Sequence, residues 1–209
     1  MKPVVSDWTT VVVGNWNLAI LNPTWIAGEV LEVAEVEVEA LIGPSIPDFR
    51  YSSGALKILP RPDRIVVSPG SSDDAALERC QAIVLKLLEL LPRTPISSVG
   101  INFGYIETEP SQELGSIFDL QDNDGISDAA LQIRSTSVTR AIEYETWMLN
   151  YKISLDPEHH VAFHFNFHKD IGDAAAAAVE IRDKAVAFKM AAEQMLNAIY
   201  DLELEQANG

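Results

Sequence analysis

Two hydrophobic periods alternate along this chain, and the places where one gives way to the other predict its elements. Thr9–Leu21 is β-branched and apolar, which predicts a strand or a tight hairpin turning at Gly14-Asn15. Asn22-Pro23 has the form of a helix start, with asparagine as cap and proline in the first helical position, for a helix reaching about Leu31. Strict alternation from Glu35 to Ala40 predicts a half-buried strand with Glu35, Glu37 and Glu39 on one face. Leu56–Leu59 and Arg64–Ser68 read as short strands around a turn holding Pro60, Pro62 and Asp63. Ser72 or Asp73 then caps a helix to Leu91, whose positions Leu77, Cys80, Val84, Leu87, Leu88 and Leu91 share one face.

The same order returns in the second half. Ser97–Thr108 predicts a strand, Pro110–Phe118 a short helix, and Asp119–Asp128 an acidic loop. Three strands follow, over Leu131–Thr139, Glu143–Leu155 and His160–His168, the last after a turn at Asp156-Pro157. Gly172-Asp173 opens a helix expected to run unbroken to about Leu204.

Residues match between the two series as well. Asn15-Trp16 falls on Asn102-Phe103, Pro23-Thr24 on Pro110-Ser111, Lys57-Ile58 on Lys152-Ile153, and Asp74-Ala75-Ala76 on Asp173-Ala174-Ala175. The separation between matched positions only grows along the chain, as insertions into the second copy require. The expectation is therefore an α+β fold, a pseudo-twofold duplication of a β-α-β-β-β-α unit. Residues 1–95 would form the first half and 96–209 the second, closing into one compact domain. A largely antiparallel sheet would carry two long helices on one face and leave the other open. In topology the chain resembles the helix-grip and TATA-binding-protein-like architectures. Val99–Ile106, after the leucine-rich helix, is similar to a central segment in a sporadically distributed family of uncharacterised bacterial proteins. That resemblance implies the fold and a bacterial origin, and supplies no catalytic residues.

Composition narrows the classes of function. The chain has 209 residues, 47% hydrophobic and 22% charged, which suits a globular protein with a substantial core. Its 31 acids against 15 bases give a net charge of −16, which disfavours direct nucleic-acid binding. The single cysteine, Cys80, allows no internal disulfide and fits a reducing compartment. No apolar run has the length of a membrane span or a signal peptide, so a cytoplasmic protein is expected.

Candidate chemistry is sparse. His159, His160, His164 and His168 crowd one stretch, but residues four apart on a strand sit about 13 Å apart, too far to share an ion. The expectation is no metal and no cofactor. His160, His164, Asn166 and His168 would instead form a polar stripe on the open sheet face, either lining a ligand groove or meeting solvent. The loop Asp119–Asp128 puts Asp122 and Asp124 at calcium-ligand spacing, but Leu120 and Leu131 occupy the positions where acids are needed. Glu35, Glu37 and Glu39 repeat at about 7 Å, close to the phosphate spacing of DNA, although strand edges carry similar charges to discourage sheet association. Glu143 and Glu145 could pair as carboxylates. No nucleophile, phosphate-loop or zinc-protease motif is present, so the reading leans away from an enzyme.

The last helix carries the most information. Ala174, Ala178, Ile181, Ala185, Phe188, Ala192, Met195, Ile199 and Leu202 recur at spacings of four and three, an apolar stripe about 45 Å long if unbroken. It would outreach its counterpart, so that Phe188, Met195, Ile199, Tyr200 and Leu202 either meet a partner or fold back on the chain. The leading expectation is a non-enzymatic interaction protein that self-associates or joins a larger complex through this helix. Alternatives are a small-molecule binder on the open face and an acidic DNA mimic using the Glu35–Glu39 row.

Overall fold

β-branched and aromatic residues occupy every second position of the long strands, and those are the positions that become buried. The computed structural model describes residues 1–41 and 48–205. Its strands are β1 (Lys2–Pro3), β2 (Thr9–Gly14), β3 (Glu37–Leu41), β4 (Asp48–Ser53), β5 (Leu56–Arg61), β6 (Arg64–Ser68), β7 (Ile96–Glu107), β8 (Thr136–Tyr144), β9 (Trp147–Leu155) and β10 (Val161–Asp170). The helices are α1 (Pro23–Trp25, widening over Ile26–Val30), α2 (Asp74–Leu90), α3 (Gln112–Gly115), α4 (Asn123–Asp128), α5 (Ala174–Ile181) and α6 (Lys184–Tyr200).

All ten strands join one sheet in the order β3-β4-β5-β6-β2-β7-β10-β9-β8, with β1 pairing the far end of β7. Every pairing is antiparallel. β2 and β7 join the two halves of the chain, with Val12 opposite Val99. Outward from that junction run β6, β5 and β4 on one side and β10, β9 and β8 on the other. The expected α+β class, the antiparallel sheet and the two long helices are all present.

Caps follow the sequence signals. Asn22, Asp73, Ser111 and Asp173 each accept a backbone N–H from three residues further on. α2 and α5 pack on each other, and α5 and α6 lie on β7, covering one face of the sheet. The core between them is aromatic. The Phe167 and Phe188 rings stack at 4.2 Å, Trp147 meets Phe188 edge-on at 5.0 Å, and Tyr151 lies 4.8 Å from Phe165. Among the described residues, no helix is long and apolar enough to cross a membrane.

Three sequence expectations need correction. β4 was not anticipated, because Asp48–Ser53 offers only Phe49 and Tyr51 as alternating apolar residues. The hairpin between β8 and β9 turns at Glu145-Thr146, so Glu143 lies in a strand and Glu145 in a turn, where it pairs with Lys184. The C-terminal helix is not continuous. Arg182 is extended (φ −55°, ψ 127°) and Asp183 is left-handed (φ 60°, ψ 16°), separating α5 from α6. Aspartate is one of the few non-glycine residues that visits this conformation routinely. α2 and α6 are each 17 residues, about 26 Å long, and at the end of α6 Tyr200 and Leu202 pack against the core instead of overhanging it.

Candidate functional site

β10 alternates strictly. Val161, Phe163, Phe165 and Phe167 are buried beneath the helices, while Ala162, His164, Asn166 and His168 are half-buried on the opposite, uncovered face. Register then decides what stands beside them. Asn166 lies between Asn102 of β7 and Asn150 of β9, and Asn102 lies opposite Thr9 of β2.

These four polar side chains form a ladder across four strands. Asn150 donates to the Asn166 carbonyl oxygen at 2.9 Å, Asn166 to that of Asn102 at 2.6 Å, and Asn102 to the Thr9 hydroxyl at 2.8 Å. At the usual strand separation the ladder spans about 14 Å. Gly100 and Gly104 flank Asn102 on the same face of β7, so no side chain rises beside it from its own strand. Over Gly104 lies Asp7, and a Cβ at that glycine would fall 2.7 Å from the Asp7 Cβ. The N-terminal turn is fixed there by Gly104, whose carbonyl accepts from Val4 N–H at 2.8 Å and from the Trp8 indole at 2.9 Å.

The histidines do not converge. His164 Nδ1 is 3.7 Å from Asp7, and His168 Nε2 is 3.2 Å from Asp170. His160 precedes β10 in the turn, where its Nδ1 lies 3.2 Å from Asp156 and 3.7 Å from Glu158. That turn gathers Asp156, Glu158 and His160 within 4.8 Å of one another, a grouping missed by reading the histidines along a single strand. Asp156 Oδ1 already accepts the backbone N–H groups of His160 and Glu158, and these bonds, that of His160 above all, hold its carboxyl below the ordinary value. The cluster is accounted for by the turn it closes.

Elsewhere the candidates separate. Glu35 precedes β3, and Glu39 is bound by Arg50, Nε to Oε2 at 3.0 Å, which neutralises one acid of the expected row. Asp122 precedes α4 and Asp124 lies within it. Cys80 is buried, and burial pushes its thiol up to about 12.

The apolar stripe of the last helix faces inward. Phe188 is buried, and Met195, Tyr200 and Leu202 pack partly buried against the core, with the Tyr200 ring 5.5 Å from Phe163. Of the five residues expected to meet a partner, Ile199 alone is well exposed, at 58%. The outward face of α6, on a different side of the helix from Ile199, presents Ala187, Met190, Gln194, Asn197 and Ala198, all exposed and uncharged. On the inner side the Tyr105 hydroxyl donates to Glu193 at 3.4 Å.

No family model matches this chain, and no curated protein matches it.

Proposed function

We propose that this chain is a binding protein, without catalysis of its own, whose recognition surface is the uncovered face of its sheet. One observation carries the proposal. The centre of that face is a row of side-chain amides, Asn102, Asn166 and Asn150, hydrogen-bonded one to the next, with glycines on either side of Asn102. A solvated sheet face is more commonly mixed with charged side chains, whereas amides in a fixed row present donors and acceptors in defined directions. His164 and His168 border the row and would contribute further polar contacts. A reducing, cytoplasmic setting fits the single buried cysteine.

Native mass spectrometry of the gently purified protein, wild type and Asn102→Ala/Asn166→Ala, tests this reading. A co-purifying protein lost from the variant supports it; a protein partner retained by a folded variant refutes it.

A separate observation favours a second reading, self-association through α6. Met190 is 52% exposed on an outward face it shares with the uncharged Ala187, Gln194, Asn197 and Ala198, and Ile199, about half a turn around the helix from it, is 58% exposed near the C-terminal end, in a chain that is 22% charged. Met190→Glu with Ile199→Glu would reduce the native mass to that of one chain if α6 forms the interface. An assembly that survives both changes would sink this reading.

A further inference from the structure

The open face is not uniform. At its β4–β6 end, a cleft of about 410 Å³ lies between the strands and the N-terminal turn. Lys57 and Arg50 line it together with the apolar Leu59 and Val66, and Val5 and Ser68 belong to the same lining. Register puts these groups together, since Lys57 pairs with Ser68 and Leu59 with Val66. Among the described residues no carboxylate lines the cleft, although acids outnumber bases by 31 to 15 in the chain. With Arg50 paired to Glu39, Lys57 is the uncompensated charge of the cleft, a cation in an otherwise acidic chain.

The two cations differ in their commitments. Arg50 directs Nε and one terminal nitrogen to the same oxygen of Glu39, and its other terminal nitrogen makes no hydrogen bond among the described residues. Lys57 is exposed and makes no ion pair among the described residues. A volume of this order falls at the small end of ligand sites, which combine apolar walls with a few directed polar groups.

We infer that this cleft binds a small organic carboxylate. Its acid group sits between Arg50 and Lys57, and its apolar body rests on Leu59 and Val66. The inference rests on the open face being the recognition surface, and it names the charge and size of what one end of that face takes. An anion gains here because the surrounding acids repel it elsewhere and the cations focus it into one place.

The test uses the full chain, isotope-labelled for nuclear magnetic resonance, with octanoate and its neutral analogue octanamide as probes. Octanoate is expected to shift the amide signals of Leu59 and Val66 saturably, with octanamide about tenfold weaker. Lys57→Gln, folded as judged by its thermal transition, is expected to weaken octanoate by about tenfold. Asn102→Ala/Asn166→Ala is expected to leave octanoate binding unchanged, which separates this cleft from the amide row. No saturable shift up to about 10 mM octanoate, equal binding of octanamide, or an unaffected Lys57→Gln variant each overturns the inference. Shifts centred on Asn102 and Asn166 would overturn it too, while leaving the wider open-face reading in place.

Discussion

Asn166 donates its side-chain amide to the carbonyl oxygen of Asn102 at 2.6 Å, directly across the pairing of β7 and β10. The two residues sit at the same level of adjacent central strands, and each continues the row to a further strand. A slip of one residue in β10 would turn Phe165 and Phe167 toward solvent and remove the amide from its partner. The ladder and the aromatic face thus specify the same register from opposite sides of the sheet.

If the ladder is a coupled unit, its members will not behave independently. Asn102→Ala and Asn166→Ala should each cost about 1 kcal/mol, the usual net worth of one hydrogen bond. The double variant should lose less than the sum, with a coupling of about 0.5 kcal/mol or more. Chemical denaturation of the four proteins measures this directly. Strict additivity would show that the amides stand side by side without supporting one another.

Phe188 and Ile199 were expected from sequence to share one role, and their surroundings set them apart. Phe188 stacks on Phe167 within the core, so Phe188→Ala should cost about 3–5 kcal/mol. Ile199 is exposed, and Ile199→Ser should change stability by no more than about 0.5 kcal/mol. Urea midpoints of the two variants decide the matter. Equal and large losses would place Ile199 in the core with Phe188.

Much of this architecture was legible because the signals were local. The alternation of β10, the cap at Asp73 and the Asn22-Pro23 helix start each lie within a few residues of what they specify. β4 was hidden because its pairing with β3 and β5 lies outside its own composition. The amide ladder was half visible: Asn166 stood out on its strand, but only register brings Thr9, Asn102 and Asn150 to it. The break at Arg182-Asp183 had no glycine or proline to announce it, and the apolar periodicity ran straight through. Periodicity reports which face is buried, and α5 and α6 both bury theirs.

Glu193 makes stability depend on pH. Burial raises its carboxyl above the ordinary 4.5, with Asp74 adding to the rise and Lys189 and the Tyr105 hydroxyl opposing it. A carboxyl raised by folding favours the folded state when protonated, and that contribution is lost as pH climbs through the folded value. Glu193→Gln should therefore raise the thermal midpoint relative to wild type near neutral pH, where the native glutamate must ionise. Well below the ordinary 4.5, where both states are protonated, the two proteins should converge. A variant less stable than wild type at neutral pH would mean that the ionised carboxylate is favourable where it sits.

Cys80 lies on the inward face of α2, with its thiol held up to about 12 by burial. Thiolate is the reactive form, so the native protein should resist alkylation near neutral pH and react only when unfolded. Mass analysis after iodoacetamide, with and without denaturant, reads the difference. Rapid labelling of the folded chain would show that α2 opens locally far more often than its packing implies.

The sharpest test of the C-terminal architecture is Asp183→Gly. In an unbroken helix, glycine at this position would destabilise by about 1 kcal/mol through added backbone entropy in the unfolded chain. Asp183 instead holds φ at 60°, a conformation that glycine adopts without steric penalty and that most side chains resist. The substitution should therefore leave stability unchanged or raise it by up to about 1 kcal/mol, whereas Asp183→Val should lower it. Glycine also removes no hydrogen bond here, because the Asp183 side chain makes no cap to α6. A clear loss on Asp183→Gly, matched by a gain on Asp183→Ala, would restore the single long helix and with it the overhanging apolar end.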